Sequence, residues 1–210
     1  MKITKLGHSC FILDINNTRI LFDPGVYTVK YAIIENIDII CISHGHADHL
    51  DMVLLKSILT NNSPVIITNA DVADTLLQEG IEAKVITNGE AINVKNITIE
   101  AYGEKHIYVR PNFDAGSNIG FLINNIFFYP GDNYTLPDKP IEVLAMPSAG
   151  PWVKLDEALA YAIKVNPKKV FTVHDAIEAD NQYIESHSAK ILAENNIAYL
   201  NLEANTTTEV

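Results

Sequence analysis

Short apolar runs cut by polar turns set the pattern of this chain, and most have the alternation or the length of strands. "KITKLG" (2–7), "CFILDI" (10–15), "TRILFD" (18–23) and "IDIICI" (37–42) open the first half, with Asn16-Asn17 as the turn between the second and third. Over residues 51–60 the period changes, because Met52, Leu55, Ile58 and Leu59 have helical spacing. "PVIIT" (64–68) predicts a buried strand, "DVADTLLQE" (71–79) a helix closed by Gly80, and 83–87, 91–94 and 97–103 further strands. A polar connection over 104–118 follows; in a compact chain that length marks a functional or disordered loop. The second half predicts strands at 119–124, 126–129 and 142–146, a helix at about 155–165, a strand at 169–173, a helix at about 182–195 and a strand at 198–202. The tail, 204–210, is expected to fray.

The two halves echo each other. "FILDINNTRILFDPG" (11–25) resembles "FLINNIFFYPGD" (121–132): strand, Asn turn, strand, then Pro-Gly. Ile20, Phe22, Pro24 and Gly25 line up with Ile126, Phe128, Pro130 and Gly131. Two similar β-rich halves, each followed by helices, predict a mixed α/β (α+β) fold of two mixed sheets packed face to face with helices outside. The length, 210 residues, fits one domain over 1–210.

Composition adds limits. Hydrophobic residues are 48% and charged residues 20%, as in soluble globular proteins. Fifteen Lys and Arg against 26 Asp and Glu leave a net charge of −11, a field that opposes non-specific binding to nucleic acid or anionic membranes. No apolar run is long enough to span a bilayer, and the start carries no signal-peptide pattern, so a cytoplasmic location is expected. Cys10 and Cys41 lie in strand-like runs without a CxxC pattern and are expected to be buried, reduced thiols.

"CISHGHADHLDM" (41–52) departs from this ordinary picture. Three of the chain's seven histidines and an aspartate fall within six positions where a strand gives way to a helix. In extended backbone, positions i and i+2 point the same way, so His44 and His46 can reach one metal together. Asp48 and His49 fall where the chain turns, able to face a second position nearby, and Asp48 is also a candidate helix cap. Downstream, His106 opens the polar connection, His174 ends a strand-like run, and Asp132 follows a strand and Pro-Gly. These complete the candidate set for two divalent ions. His187 lies in a helical pattern and is left out.

In that order, HxHxDH, a later His, Gly-Asp after a strand and a strand-end His, the chain resembles the metallo-β-lactamase-fold hydrolases over nearly its whole length. "LGHSCFIL", "ILFDPG", "PGD", "MPSAGPW" and "VHDA" look most like the L-ascorbate-6-phosphate lactonase-like branch. The resemblance implies a four-layer αβ/βα sandwich with the site at one edge between the sheets. It assigns His44, His46 and His106 to a first metal, Asp48, His49 and His174 to a second, and Asp132 to a bridge between them. Zinc is the default for such a His-rich set, with manganese or iron also fitting mixed N/O ligation. Asp132 stands where one β-lactamase class has cysteine. The chain lacks room for the added nuclease domain or the helical domain of larger relatives. Flavin-linked di-iron relatives usually carry Glu at the position of His46.

Around the ligands, Asp23 is a candidate for orienting a ligand histidine. His8, Lys105, Tyr108, Arg110, Trp152 and Lys154 are candidates for ligand support or substrate contact. Lys154, at a helix start, opposes the helix dipole and on that ground is expected to face an anion. The expected chemistry is hydrolysis of a small, anionic ester, lactone or phosphoester by a metal-bound hydroxide, with Asp48 and Asp132 as the catalytic carboxylates. A nuclease or cyclic-nucleotide phosphodiesterase and a non-enzymatic metal-binding protein stand as alternatives, and a homo-oligomer stays open.

Overall fold

Alternation along the strands decides which side chains meet. In a computed structural model describing residues 1–29, 34–176 and 181–210, β1 (Lys2–Gly7), β2 (Cys10–Ile15), β3 (Thr18–Phe22), β4 (Ile39–Ile42), β5 (Val65–Thr68) and β6 (Lys84–Val85) lie side by side in one sheet. The second sheet runs in chain order from β7 (Ala91–Val94) through β8 (Ile97–Tyr102), β9 (Gly120–Ile123), β10 (Phe127–Tyr129), β11 (Val143–Pro147) and β12 (Lys169–Val173) to β13 (Ala198–Tyr199). Both sheets pair antiparallel up to β3 or β10 and parallel beyond it. The parallel steps need crossovers, and beyond β4 and β11 helices supply them. Between β4 and β6 these are α1 (Met52–Leu59) and α2 (Ala70–Gln78); between β11 and β13 they are α3 (Leu155–Val165) and α4 (Gln182–Glu194).

The final strand, β14 (Thr207–Glu209), returns to the first sheet and pairs antiparallel with β1, Lys2 opposite Glu209. It takes the edge that β7 takes in the other sheet. The tail therefore does not fray as its polar composition suggests. Its threonines are good strand formers, the Thr4 and Thr207 hydroxyls lie 2.7 Å apart, and the Val210 amide donates to the Met1 carbonyl at 2.9 Å.

Three apolar layers result. Phe11 and Leu13 of β2 face the second sheet and meet Phe127, Tyr129 and Phe171, whereas Cys10 and Ile12 face α1 and α2. On the far side Leu122, Phe128 and Leu144 pack beneath Leu159 and Leu192 of the second helix pair. Helix, sheet, sheet and helix stack as a four-layer αβ/βα sandwich. Each fully buried Phe contributes about 1.5–3 kcal/mol relative to exposure. Cys10 faces the outer layer and Cys41 the inner one, and both are buried free thiols.

The sequence echo is reproduced in β3 and β10, with one shift. Phe22 faces the inner layer while its aligned Phe128 faces outward and Tyr129 faces inward. The two halves thus agree in the place of Pro-Gly, after the central strand, rather than in strand phase. Asp23, His44, Asp132 and His174 all follow the carboxyl ends of parallel strands, where α/β sheets commonly bind ligands.

Candidate metal centre

The loop after β4 is folded tightly. The His46 carbonyl accepts from the His49 amide at 2.9 Å and the Leu50 amide at 2.8 Å, and the Ala47 carbonyl accepts from Val26 at 2.9 Å. Gly25 lies against this turn: a Cβ there would sit 1.9 Å from the Asp48 carbonyl oxygen. The cap of α1 is Asp51, which accepts from the Val53 and Leu54 amides at 2.9 and 3.4 Å. Capping is therefore the work of Asp51 and not of Asp48, whose carboxylate turns toward the histidines instead.

Two groups of four side chains gather here, the donor atoms within each lying inside 4.8 Å of one another. One holds His44, His46, His106 and Asp132; the other holds His8, Asp48, His49 and His174. Asp132 faces both, with Oδ2 3.2 Å from His106 Nε2 and 3.0 Å from His174 Nε2, and Oδ1 3.3 Å from His49 Nε2. Asp48 Oδ2 lies 3.2 Å from His174 Nε2 and 3.2 Å from His8 Nε2. His44 Nε2 and His46 Nδ1 are 3.1 Å apart.

The turned-away ring nitrogens are held by the protein. His49 Nδ1 meets Asp23 Oδ2 at 2.7 Å, His44 Nδ1 meets Ser43 Oγ at 3.0 Å, and His106 and His174 Nδ1 meet the carbonyls of Ile107 and Ala149, both at 2.7 Å. Each of these rings thereby offers Nε2 to the centre. Asp23 is fully buried and also accepts from the Ser43 amide and hydroxyl, at 2.7 and 2.6 Å, and from the Tyr129 hydroxyl at 2.6 Å. His8 is oriented the other way: the Ala176 amide donates to its Nδ1 at 3.3 Å, so the neutral ring keeps its proton on Nε2, facing Asp48.

The polar connection is ordered around His106. Its amide donates to Gly116 at 3.0 Å and the Ile107 amide to Asp132 at 3.0 Å, placing the ring beside Asp132. Asn118 clamps the Gly-Asp turn, accepting from the Asp132 amide and donating to the Pro130 carbonyl, both at 2.9 Å. His8, Asp23 and His174 carry left-handed backbone, at φ 48°, 39° and 63°. Such strain persists where the surroundings enforce it and concentrates at functional sites.

The site's charges are strongly coupled. Burial, then the neighbouring His49, pushes His44 well down, and burial, then His106, lowers His46. Burial alone would lower His49 and His174, but Asp132 leads the carboxylates that raise His49 well above its ordinary value and His174 to about 9. Burial would raise Asp132 and Asp48, yet His49 and His174 hold the first, and hydrogen bonds from His174 and His8 the second, below the carboxylate range. His49 Nε2 and Asp132 Oδ1 are buried and face each other at 3.3 Å without hydrogen-bond geometry. Imidazole and carboxylate donors gathered in two such groups fit divalent cations.

A cavity of about 390 Å³ opens over the centre, and Arg110 and Trp152 line it. Lys105, Tyr108 and Lys154 do not. Lys105 is exposed and its backbone bridges to Ser117; the Tyr108 ring is exposed. Lys154 is exposed and pairs with Glu157 at 2.8 Å, so the acidic first turn of α3 rather than an external anion answers its charge. His187 stacks on Tyr183 along α4, outside both groups. Ser43, Asn118 and Tyr129 carry no separate signal in the sequence. Only the adjacency of Ser43 to His44 and of Tyr129 to "PGD" marks them.

Residues 2–174 match the family model described as "Beta-lactamase superfamily domain". Protein Rv0786c of Mycobacterium tuberculosis is 33% identical over 184 residues, 85% of this chain and 86% of its own. The UPF0173 metal-dependent hydrolase MJ1163 of Methanocaldococcus jannaschii is 28% identical over 208 residues, 89% of this chain and 92% of its own. Igni18, a metallo hydrolase from Ignicoccus hospitalis, shares the fold at a TM-score of 0.77 and 17% identity, covering 100% of this chain and 98% of its own. By the span of that match and by its paired seven-stranded sheets, this chain belongs to the β-lactamase superfamily domain family and has the metallo-β-lactamase fold.

Proposed function

We propose that the chain is a cytoplasmic, metal-dependent hydrolase with two divalent ions, zinc foremost and manganese or iron as the other fits, that cleaves a small anionic ester, lactone or phosphoester. One observation carries the reading: two four-residue donor groups, five imidazoles and two carboxylates besides His8, meet at the buried Asp132. In this reading His44, His46 and His106 hold the first ion, Asp48, His49 and His174 the second, and Asp132 faces both. The names of the Methanocaldococcus and Ignicoccus proteins, a metal-dependent hydrolase and a metallo hydrolase, support hydrolysis. The likeness to the ascorbate-6-phosphate lactonase branch rests on sequence motifs.

When bound, the ions supply an acidified water and positive charge for the oxygen that becomes negative. The chain's own residues do the rest. Asp23 and the backbone carbonyls of Ile107 and Ala149 fix the ligand rings so that Nε2 is presented inward. Asp48 is 25% exposed where Asp132 is buried, so it faces the cavity, orients the attacking water and takes its proton. His8 holds Asp48 through Nε2–H and is a positioning residue rather than a ligand. Trp152 and its neighbours limit the water that enters.

The test is elemental analysis of protein purified without chelator or added metal, beside the His44→Ala/Asp132→Ala double variant. About two metal equivalents per chain, lost in a variant that keeps its circular dichroism, are expected. A chain that takes up neither zinc nor manganese on reconstitution would remove the hydrolase reading.

A further inference from the structure

We infer that the substrate joins an apolar, ring-sized body to an oxyanion, carboxylate or phosphate, and that Arg110 reads the oxyanion at the cavity mouth. The inference rests on the hydrolase reading of the same site and names its substrate class. Above the ligands, the cavity walls are Val109, Phe113, Pro151 and Trp152, with Arg110 as the cation among them. At about 390 Å³ the space is near the small end for ligand pockets and holds a single ring or a short acyl chain next to the centre. A sugar or other wholly polar metabolite would leave its hydroxyls against these apolar walls, at a desolvation cost.

Trp152 makes the wall rigid. It is 9% exposed, its ring lies 5.7 Å from both His106 and His174, and Tyr134 packs against it at 5.7 Å. The indole thus lies beside a member of each donor group, so an apolar body packed against its cavity side lies next to the centre.

Arg110 is one of only two arginines in a chain of net charge −11. Six lysines, Lys5 and Lys139 among them, lie on carboxylates, the described lysines without such a pair lie outside the cavity lining, and the other arginine, Arg19, lies 3.7 Å from Asp14. Among the described residues Arg110 has no such ion pair. Its guanidinium instead sits 4.8 Å over the centre of the Phe113 ring. A ring face takes up none of the guanidinium N–H donors in hydrogen bonds, so they remain available to a two-oxygen acceptor. Arg110 and Phe113 are both exposed, which places the cation at the solvent-facing mouth of the cavity.

Trp152 is the chain's single tryptophan, so its fluorescence reports this cavity. Metal-loaded protein is titrated with benzoate, phenyl phosphate, the neutral benzamide and the ring-free acetate. Benzoate or phenyl phosphate is expected to bind about tenfold or more tighter than both benzamide and acetate, and the better of the two identifies the oxyanion. In Arg110→Gln that preference over benzamide should shrink to about twofold with metal content unchanged, and Arg110→Lys should retain part of it. Acetate binding as well as benzoate would overturn the apolar body. Benzamide binding as well as both anions would overturn the oxyanion. A preference untouched in Arg110→Gln would assign the anion to the metals and overturn the role of Arg110. Binding is read without turnover and metal content is measured separately, so failure of this inference is distinct from failure of the hydrolase reading.

Discussion

At the scale of single residues, the ligand-bearing loop is legible in the sequence because its signal is local: four ligand-type side chains in six positions. Among the residues that hold those ligands, Asp23 and His8 are legible as candidates, whereas Tyr129 and Asn118 are not, because their contacts are long-range. Tyr129 reaches Asp23 across 106 positions, and Ala176 reaches His8 across 168. His8 is the sharpest case. It sits in a candidate ligand group, yet the Ala176 amide takes its Nδ1 as an acceptor and leaves Nε2–H on Asp48. His8→Leu should therefore keep the metal content of wild type while lowering kcat by about 10–100-fold. His8→Gln, whose amide nitrogen can donate to Asp48, should recover part of the loss. Loss of one metal in both variants would show that His8 is itself a ligand.

At the scale of elements, period and turn residues suffice for most strands and all four helices, since each buries one face or both. They fail where burial does not pattern the residues. β14 is held by edge hydrogen bonds among threonines, and β13 keeps only Ala198–Tyr199 of a five-residue run. The Pro-Gly echo is visible in the sequence, but its purpose is a clearance between distant segments. Gly25 abuts the Asp48–His49 backbone; Gly131, at φ +63°, would place a Cβ 2.3 Å from Asn118 Oδ1 and 2.8 Å from Ser43 Cβ. Each glycine lets one sheet's turn close on its ligand loop. Gly25→Ala must push Asp48 and His49 away, so it should cost about 1–3 kcal/mol. It should lower Tm by roughly 2–12 °C in a chain of this size, taking about 2–4 °C per kcal/mol. Its metal content should fall below that of wild type even at temperatures where it stays folded. Retention of wild-type metal and Tm together would show that the turn yields without moving the ligands.

At the scale of the whole molecule, the excess of carboxylates makes the metal-free site a balance of buried charges. Asp48 and Asp132 are ionised, and in the absence of cations the protons of His49 and His174 answer them. Metals replace those protons, so their uptake at pH 7 should release protons, whereas His44 and His46, held low by burial, are already neutral and release none. His174 is raised in the fold from 6.5 to about 9, so its stabilising contribution is full below about pH 6.5 and is lost as pH rises through about 9. For this one buried group the loss is on the order of 3 kcal/mol. His49 is raised as well and adds in the same direction. The metal-loaded protein has no such protons to lose, and proton competition for its ligands weakens over the same range. Between pH 6.5 and 9 the Tm of chelator-treated protein should therefore fall while that of metal-loaded protein holds or rises. Calorimetry of both forms across that window decides the point: parallel curves would mean that His49 and His174 do not carry the balancing charge.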